Sequence, residues 1–256
     1  MSRKLTKKKI LDVELIIKNA GSIVKKNFLS KKIQINTKQN NEFFTDIDVK
    51  TELYLIKNLQ KIFPNANFVS EETNSEYLLT DGFTWIIDPI DGTNNFIRSN
   101  PHFCIAVSLK IENQTMLGFV YDPLRDEMFK AVKGRGAFLN NRLITPSTEK
   151  EISNSLVGLG LVKSHKKIME KVKKYKEIYP LFKSLRNSGS AALDLAYLAS
   201  GRLDACWLSG LKVWDFDAGI LLIEESGVKI NKDLVFSDCI VASNKYIFKK
   251  FSELVN

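Results

Sequence analysis

A stretch without basic side chains interrupts an otherwise basic sequence and holds the residues best suited to chemistry. Residues 62–97 contain no Lys or Arg, although about five would be expected at the average content of the chain. The same stretch contains six acidic side chains, which are Glu71, Glu72, Glu76, Asp81, Asp88 and Asp91. Carboxylates that converge raise each other's pKa unless a bound divalent cation neutralises them. Oxygen-only ligation favours Mg²⁺, Mn²⁺ or Ca²⁺ over zinc, so the stretch predicts a site for such a cation.

Two aspartates in this stretch lie where a strand is expected to give way to a helix. Asp88 follows the apolar run Trp85-Ile86-Ile87, and Pro89 is expected to end the strand, so that the chain turns there. Asp91-Gly92-Thr93 then predicts the start of a short helix, whose free backbone N–H groups suit a phosphate. Taken singly, the first aspartate would be an ordinary Asp-Pro turn and the second a helix cap. Together with Glu71, which follows another strand-like run, they favour a metal site beside a phosphate site.

Asp215 is the candidate for a carboxylate supplied from far along the chain. It lies in the segment Trp214-Asp215-Phe216-Asp217-Ala218-Gly219, at the expected start of an amphipathic helix. An aspartate at this position is usually a helix cap, but it is also suited to add a remote carboxylate to the metal cluster. The spacing alone leaves both interpretations open.

The elements that must position these residues follow from the hydrophobic pattern. Apolar residues at steps of three and four predict a first helix from Ile10 to Phe28 and a second from about Asp48 to Phe63, with Asp46 and Asp48 at its start. Short strands are predicted at Phe68-Val69, Trp85-Ile87, Phe103–Leu109, Gln114–Tyr121 and Glu127–Val132, and turns join the last three as an antiparallel meander. In the second half of the chain, predicted strands alternate with predicted helices. The strands are at Ser155–Leu159 and Ala205–Leu208, and the helices are at Lys166–Glu177, Ala191–Ala199 and Asp217–Glu225.

This succession predicts an α/β protein made of two joined halves. At roughly 100–200 residues per domain, 256 residues suit one large unit or two intimate halves. We expect an α+β half over residues 1–145, which carries most of the metal ligands, and an α/β half over residues 146–256, which carries Asp215 and the substrate pocket. The two halves are expected to form one catalytic unit.

The overall composition excludes several classes of protein. Hydrophobic residues make up 44% and charged residues 26%, which argues against a disordered chain, a collagen-like repeat or a coiled-coil rod. The 38 Lys and Arg against 29 Asp and Glu give a formal net charge of +9. We interpret this excess of positive charge mainly as solvated lysines on the surface, and a nucleic-acid-binding surface is the less favoured interpretation.

The cysteines and the hydropathy indicate the cellular compartment. The three cysteines are Cys104, Cys206 and Cys239, which are far apart in the sequence and do not form a closely spaced pair. This is typical of reduced thiols in a cytosolic protein. No segment approaches the roughly 20 apolar residues of a membrane helix, and no apolar signal segment follows the basic N-terminus. We therefore expect a soluble, unprocessed cytoplasmic protein that makes no membrane contact.

Three motifs together resemble the Mg²⁺-dependent, lithium-sensitive inositol monophosphatase family. They are Trp85 to Phe96, which reads WIIDPIDGTNNF, Glu71-Glu72 upstream of it, and Trp214-Asp215 through Ala218-Gly219 downstream. The likeness spans about Glu42 to Asn244, and Pro101-His102-Phe103 and Ser188 to Tyr197 are similar to its bacterial SuhB-like branch. The resemblance implies a layered αβαβα sandwich.

The resemblance also implies roles for individual residues. Two or three Mg²⁺ ions would be held by Glu71, Asp88, the backbone carbonyl of Ile90, Asp91 and Asp215. Asp48 and Thr93 would help activate the attacking water beside Glu71. Gly92 and Thr93 would bind the phosphate, and Gly189, Ser190 and Ala191 would line the pocket for the alcohol part of the substrate. Glu72 is a candidate for a residue that contacts the metal ligands without binding the metal itself.

The activity implied by the resemblance is hydrolysis of a small phosphate monoester such as inositol 1-phosphate. The water would attack phosphorus in line, without a covalent phospho-enzyme. The family usually carries a glutamate seven residues before the Asp215 position, and this chain has Leu208 there. Because leucine accepts no hydrogen bond from a sugar hydroxyl, histidinol phosphate, 3′-phosphoadenosine 5′-phosphate and sugar phosphates stay open as substrates. Family members are commonly homodimers.

Two alternatives of other kinds remain. The segment Asp88 to Thr93 is also similar to the haloacid dehalogenase phosphatases, which use an aspartate nucleophile, but their two aspartates are separated by one residue rather than two. A SuhB-like role in contact with RNA polymerase or RNA is suggested by the net charge and by basic clusters at Lys7–Lys9, Lys166-Lys167 and Lys171–Lys174. Serine or cysteine hydrolase chemistry is disfavoured, since His102 and His165 are the only histidines.

Overall fold

The computed structural model describes residues 5–30, 33–37, 43–73, 82–160, 165–231 and 239–255. The helices in this part of the chain are α1 (Lys7–Ser30), α2 (Asp46–Ile62), α3 (Thr93–Ile97), α4 (His165–Ile178), α5 (Ala191–Ala199), α6 (Val213–Ser226) and α7 (Phe248–Val255). Short 3-10 helices lie at Ile152–Asn154 and Tyr179–Leu181.

The described strands form a hairpin, a seven-stranded sheet and a five-stranded sheet. The hairpin pairs β1 (Ile35–Thr37) with β2 (Phe43–Thr45). The seven-stranded sheet contains, in spatial and chain order, β3 (Asn67–Ser70), β4 (Phe83–Asp91), β5 (Cys104–Ile111), β6 (Gln114–Asp122), β7 (Glu127–Val132), β8 (Gly136–Leu139) and β9 (Arg142–Leu143). Its neighbours are antiparallel except β3 and β4, which run parallel.

The five-stranded sheet has the order β11-β10-β12-β14-β13. Its strands are β10 (Leu156–Gly160), β11 (Ser184–Arg186), β12 (Ala205–Ser209), β13 (Lys229–Ile230) and β14 (Cys239–Ser243). The first three in spatial order are parallel, and β14 runs antiparallel to both of its neighbours. The mixed order is typical of strands joined through helices.

Three hydrophobic cores stack these elements into five layers. The first core packs α1 and α2 against one face of the seven-stranded sheet, with Val13, Leu55 and Ile87 fully buried. The second core surrounds α5 and α6, which lie between the other face of that sheet and the five-stranded sheet. The third core packs α7 and the end of α4 on the outer face of the five-stranded sheet. The predicted αβαβα sandwich is therefore confirmed.

The start of α2 shows how closely local sequence sets the positions of site residues. The Thr45 side chain caps the helix by accepting from the backbone N–H groups of Ile47 and Asp48, and Asp48 accepts from the Thr45 N–H in return. This reciprocal capping box fixes the first turn of the helix. The helix begins at Asp46, two residues before the predicted start at about Asp48, because the cap lies at Thr45.

Two of the differences from the sequence prediction concern the segments that carry the candidate site residues. Pro89 does not end its strand, because β4 continues to Asp91 through an irregularity in the pairing with β5. Helix α6 begins at Val213, four residues before the predicted start at Asp217. The predicted boundary between residues 145 and 146 stays a prediction, although the large sheet ends at Leu143 and the smaller one begins at Leu156. Within the described ranges, none of the helices has the length and apolarity to cross a membrane.

Candidate active site

A β-bulge places the two aspartates of the DPID segment on the same face of the sheet. Asp88 is paired with Ala106 and Asp91 with Cys104, so three steps on β4 match two steps on β5. In a regular strand, residues three apart point to opposite faces, and the extra residue of a bulge removes that alternation. Ala106 and Cys104 both face the core that contains α5 and α6. Both carboxylates therefore point toward the middle helical layer.

Asp88 is the electrostatic centre of the predicted acidic cluster. Only 2% of this residue is exposed. Burial raises the pKa of its carboxyl well above the ordinary value, and the negative charges of Glu71, Asp91, Asp215 and Asp48 raise it further. The predicted acidic ligands, which come from distant parts of the sequence, thus lie within electrostatic reach of one buried carboxylate.

Asp91 connects the large sheet to the start of α5. Its Oδ2 accepts hydrogen bonds from the Ser190 hydroxyl (2.6 Å) and from the Ala192 backbone N–H (2.7 Å). Burial raises the pKa of Asp91 to about 6, although these hydrogen bonds lower it. The Cys104 thiol lies 3.7 Å from the same oxygen. The predicted ligand and the predicted pocket segment Gly189–Ala191 are therefore brought together.

Asp48 and Thr93 are also adjacent. Thr93 Oγ1 lies 3.3 Å from Asp48 Oδ1 and 3.0 Å from the Ile90 carbonyl oxygen, so its hydroxyl can donate to either acceptor. Asp48 is fully buried. Burial is the main cause that raises its pKa to about 6, the hydrogen bonds from Thr45 and Thr93 lower it, and the charge of Glu71 raises it.

The backbone at Gly92 approaches two other segments so closely that a side chain there would press on their backbone atoms. Gly92 has φ +99°, and a Cβ there would lie 3.0 Å from the His102 carbonyl oxygen and 3.3 Å from that of Gly189. Asn95, within α3, donates from Nδ2 to the carbonyl oxygens of His102 (2.7 Å) and Ser188 (2.8 Å). The sequence did not single out Asn95, which here ties the start of α3 to the pocket segment.

Asp215 caps its helix and also lies within electrostatic reach of Asp88, while its role as a metal ligand stays a prediction. Its Oδ2 accepts from the backbone N–H of Lys212 at 2.7 Å, which caps α6, and its charge raises the pKa of Asp88. The first turn of α6 is fixed to the sheet by Asp217, which also lay outside the predicted set. Asp217 pairs with Lys110 Nζ (2.7 Å) and accepts from the hydroxyls of Ser108 (2.6 Å) and Thr115 (3.0 Å).

Glu71 and Glu72 lie in the turn that follows β3. The Glu71 backbone N–H donates to the Ile87 carbonyl oxygen at 3.3 Å, and the Glu72 N–H donates to Glu52 Oε2 at 2.9 Å. Glu52 is fully buried in α2 and was not predicted as a site residue. Its spacing of four residues from Asp48 was the available signal, since residues i and i+4 share a helix face.

The chemistry of these donors fits a hard divalent cation. They are carboxylate and carbonyl oxygens, and burial makes their uncompensated charge costly. Among the described residues, no three His, Cys, Asp or Glu side chains are close enough to hold a metal ion as they stand. Glu76, Asp81 and the side chains of His165, Lys166, Lys167 and Lys171 lie outside what the structure describes.

Leu208 lies in the hydrophobic interior. It is 1% exposed in β12 and belongs to the core around α5 and α6. The position where the family usually carries a glutamate is therefore part of the hydrophobic interior in this protein.

Comparison with known proteins gives concordant matches over most of the chain. The model of the inositol monophosphatase family matches residues 5–253. The Nus factor SuhB of Escherichia coli (strain K12) is 35% identical over 219 residues, which cover 82% of this chain and 79% of that protein. Inositol monophosphatase 1 of Solanum lycopersicum is 35% identical over 216 residues, with the same coverage of 82% and 79%.

A solved structure has the same architecture. The extragenic suppressor protein suhB from Bartonella henselae superposes with a TM-score of 0.90 at 28% identity, covering 96% of this chain and 98% of that chain. The shared fold and the match of the family model from residue 5 to residue 253 lead to one conclusion: this chain belongs to the inositol monophosphatase family.

Proposed function

We propose that this protein is a Mg²⁺-dependent phosphatase that releases phosphate from a small phosphate monoester, with inositol 1-phosphate as the first candidate. Family membership supports a phosphatase. The observation that carries the metal dependence is the buried position of Asp88 within electrostatic reach of four other carboxylates. Burial raises the pKa of Asp88, and the charges that reach it from α2, the turn after β3, the end of β4 and α6 raise it further. Such a concentration of negative charge is stable in its ionised form only with a cation.

Two or three Mg²⁺ ions would be held by Glu71, Asp88, the Ile90 carbonyl oxygen, Asp91 and Asp215. Bound Mg²⁺ supplies Lewis acidity to the phosphate oxygens and lowers the pKa of water. The Thr93 hydroxyl is within 3.3 Å of Asp48, so this pair is suited to accept the proton of the attacking water.

The remaining roles concern the substrate. Backbone N–H groups of Gly92 and Thr93, at the start of α3, would donate to the phosphate. Gly189, Ser190 and Ala191 would contact the alcohol part, since Asp91 and Asn95 hold that segment beside α3. Leu208, in place of the glutamate that the family usually carries, removes one acceptor for a substrate hydroxyl, which favours a broader substrate preference.

A substrate panel tests the proposal directly. Phosphate release is measured from inositol 1-phosphate, histidinol phosphate, 3′-phosphoadenosine 5′-phosphate and fructose 1,6-bisphosphate, each with Mg²⁺ and with a chelator. We expect release from at least one of them that requires Mg²⁺ and is inhibited by Li⁺. No release from any, or equal rates in chelator, would refute the proposed function.

Gly92→Ala is expected to lower phosphate release at least about tenfold, because small displacements at a reacting centre carry large penalties. The positive φ alone costs about 1–2 kcal/mol of stability, and the added Cβ would press on two backbone carbonyl oxygens. Gly227→Ala is the matched control, because Gly227 has φ +96° with nothing within 4 Å of the added Cβ. Steady-state kinetics and urea unfolding of both variants separate the effects, and equal activities of the two variants would contradict the assigned role.

Mg²⁺ is expected to stabilise the protein more at high pH than at low pH. Burial raises the pKa of Asp48 and Asp91 to about 6 and that of Asp194 to about 7. Because these folded-state values exceed the unfolded ones, the stability that these carboxyls contribute is full below about pH 4 and is lost as the pH rises to about 7. A bound cation offsets the charge that then appears.

Thermal unfolding with Mg²⁺ and with chelator provides the measurement. The increase in Tm on adding Mg²⁺ should be larger at about pH 8 than at about pH 5 by roughly 4–8 °C, which corresponds to about 2 kcal/mol. Asp194→Asn is the control, since it should flatten the pH dependence of the metal-free protein and leave the Mg²⁺ increment unchanged. An increment independent of pH would argue against a metal at these carboxylates.

A role in contact with RNA or RNA polymerase is the second candidate. The name Nus factor SuhB of the 35% identical relative favours it. Exposed lysines at both ends of the molecule would supply the contact, including Lys7, Lys8 and Lys173. Binding to RNA or to RNA polymerase near physiological salt that weakens as salt increases would support this role, and absence of binding to both there would exclude it. The homodimer and the cytoplasmic location also stay predictions, which light scattering and cell fractionation test.

A further inference from the structure

Helix α2 presents a second buried carboxylate one turn after Asp48. Glu52 follows Asp48 by four residues, so the two side chains project from the same face of the helix. Both residues are fully buried. Asp48 reaches Thr93, whereas Glu52 has no place in the proposed chemistry.

Glu52 binds the turn that carries Glu71. Its Oε2 accepts from the Glu72 backbone N–H at 2.9 Å, and its Oε1 accepts from the Thr73 hydroxyl at 2.5 Å. On the other side of the turn, the Glu71 N–H donates to the Ile87 carbonyl oxygen of β4 at 3.3 Å. The turn is therefore held at two successive residues: the backbone N–H of Glu71 is bound to strand β4, and the backbone N–H of Glu72 is bound to the buried Glu52 side chain.

The choice of a carboxylate for this contact has a physical reason. A buried ionised group requires hydrogen-bond donors, and charge-assisted hydrogen bonds to it are short and strong. A carboxylate can accept from both turn donors at once, whereas an amide side chain offers a single acceptor oxygen. The contact thus fixes two successive residues of the turn to one rigid helix.

We propose that Glu52 is a positioning residue for Glu71, which it acts on through the backbone of Glu72 and the side chain of Thr73. Because Asp48 and Glu52 lie on one helix, the same element orients the proposed proton acceptor and the turn with the proposed metal ligand. The inference rests on the proposed function for the role of Glu71. Residues that orient metal ligands typically change metal affinity about 10–100-fold when they are replaced.

The test is Glu52→Gln in the full chain, with Mg²⁺ binding measured by calorimetry. Glutamine keeps the shape of the side chain but loses one of the two acceptors. We expect the Kd for Mg²⁺ to rise about 10–100-fold, the Glu72 amide to exchange its hydrogen faster, and kcat at saturating Mg²⁺ to fall less than about threefold. Thr73→Val removes one donor from an exposed position, so it should shift the Kd in the same direction by a smaller factor.

Glu14→Gln is the matched control for a merely structural role. Glu14 is another largely buried carboxylate, and it pairs with Lys130 at 2.7 Å to join α1 to β7. This variant should lower the Tm and leave the Kd for Mg²⁺ unchanged. An unchanged Kd in both Glu52→Gln and Thr73→Val would overturn the inference. If Glu52→Gln does not fold, Thr73→Val alone decides.

The outcomes also separate this inference from the proposed function. A wild-type protein that binds Mg²⁺ but releases no phosphate, with weakened binding in Glu52→Gln, refutes the phosphatase and supports the positioning role. Mg²⁺-dependent phosphate release together with unchanged Mg²⁺ affinity in the variants supports the phosphatase and refutes the positioning role. A wild-type protein that binds no Mg²⁺ refutes both.

Discussion

An Asp91→Asn variant is expected to release phosphate about 10²–10⁴-fold more slowly than the wild-type protein when Mg²⁺ is limiting. Asparagine has nearly the same size as aspartate but carries no charge and offers one acceptor oxygen. Asp91 accepts from Ser190 and Ala192 through Oδ2, and the single oxygen of asparagine can keep both hydrogen bonds. The NH2 group then stands where Oδ1 would bind the cation, so the variant loses a metal ligand and a negative charge.

Glu71→Gln should show a loss of similar size, because it removes another of the carboxylate charges that reach Asp88. Asp204→Asn is the control for replacing a buried aspartate. Asp204 is 8% exposed and accepts from Ser147 and from the Leu156 N–H, within the second half of the chain. It should keep wild-type kinetics. Full activity of either ligand variant at limiting Mg²⁺ would show that the ligand assignment is wrong.

Local sequence was enough to predict many of the helices and strands of this fold, whereas their arrangement in five layers was implied by the family resemblance. Helical and strand periodicities depend on which face of each element is buried, and those faces are the ones that form the three cores. The acidic stretch was equally visible, because a run without Lys or Arg is a statistical feature of the chain itself. The net charge of +9 was a weaker guide, since it averages the surface with this stretch.

The course of β4 could not be predicted in the same way. Proline lacks a backbone N–H and normally interrupts a strand ladder, so an end at Pro89 was the natural expectation. A bulge provides a position where that N–H is not needed, and the strand continues to Asp91. Which of the two occurs depends on the pairing with β5, a partner that no local pattern around Pro89 contains.

The sequence did not predict the roles of Asn95 and Asp217 for a related reason. Asn95 donates to the carbonyl oxygen of Ser188, which is 93 positions away, and Asp217 accepts from the hydroxyl of Ser108, which is 109 positions away. Such contacts depend on the assembled layers. Glu52 differs, because it lies four residues after Asp48 in one predicted helix, and that spacing alone puts both side chains on the same helix face.

Asp217→Ala is expected to lower the free energy of unfolding by about 3–5 kcal/mol, the second large effect that the structure predicts. The substitution leaves the Lys110 ammonium without its carboxylate partner, together with the hydroxyls of Ser108 and Thr115. The lysine side chain is 13% exposed, so water compensates little. Urea unfolding monitored by tryptophan fluorescence measures the change.

Two comparisons establish that the loss comes from an unpaired buried charge. The double variant Lys110→Met/Asp217→Leu should recover most of the stability, because apolar groups of similar volume replace both ions. Glu127→Ala breaks the Arg202–Glu127 pair, whose arginine is 37% exposed, and should cost less than about 1 kcal/mol. If Asp217→Ala and Glu127→Ala cost the same, the buried pair does not anchor α6. The start of that helix, and with it Asp215, would then depend on the apolar contacts of α6 alone.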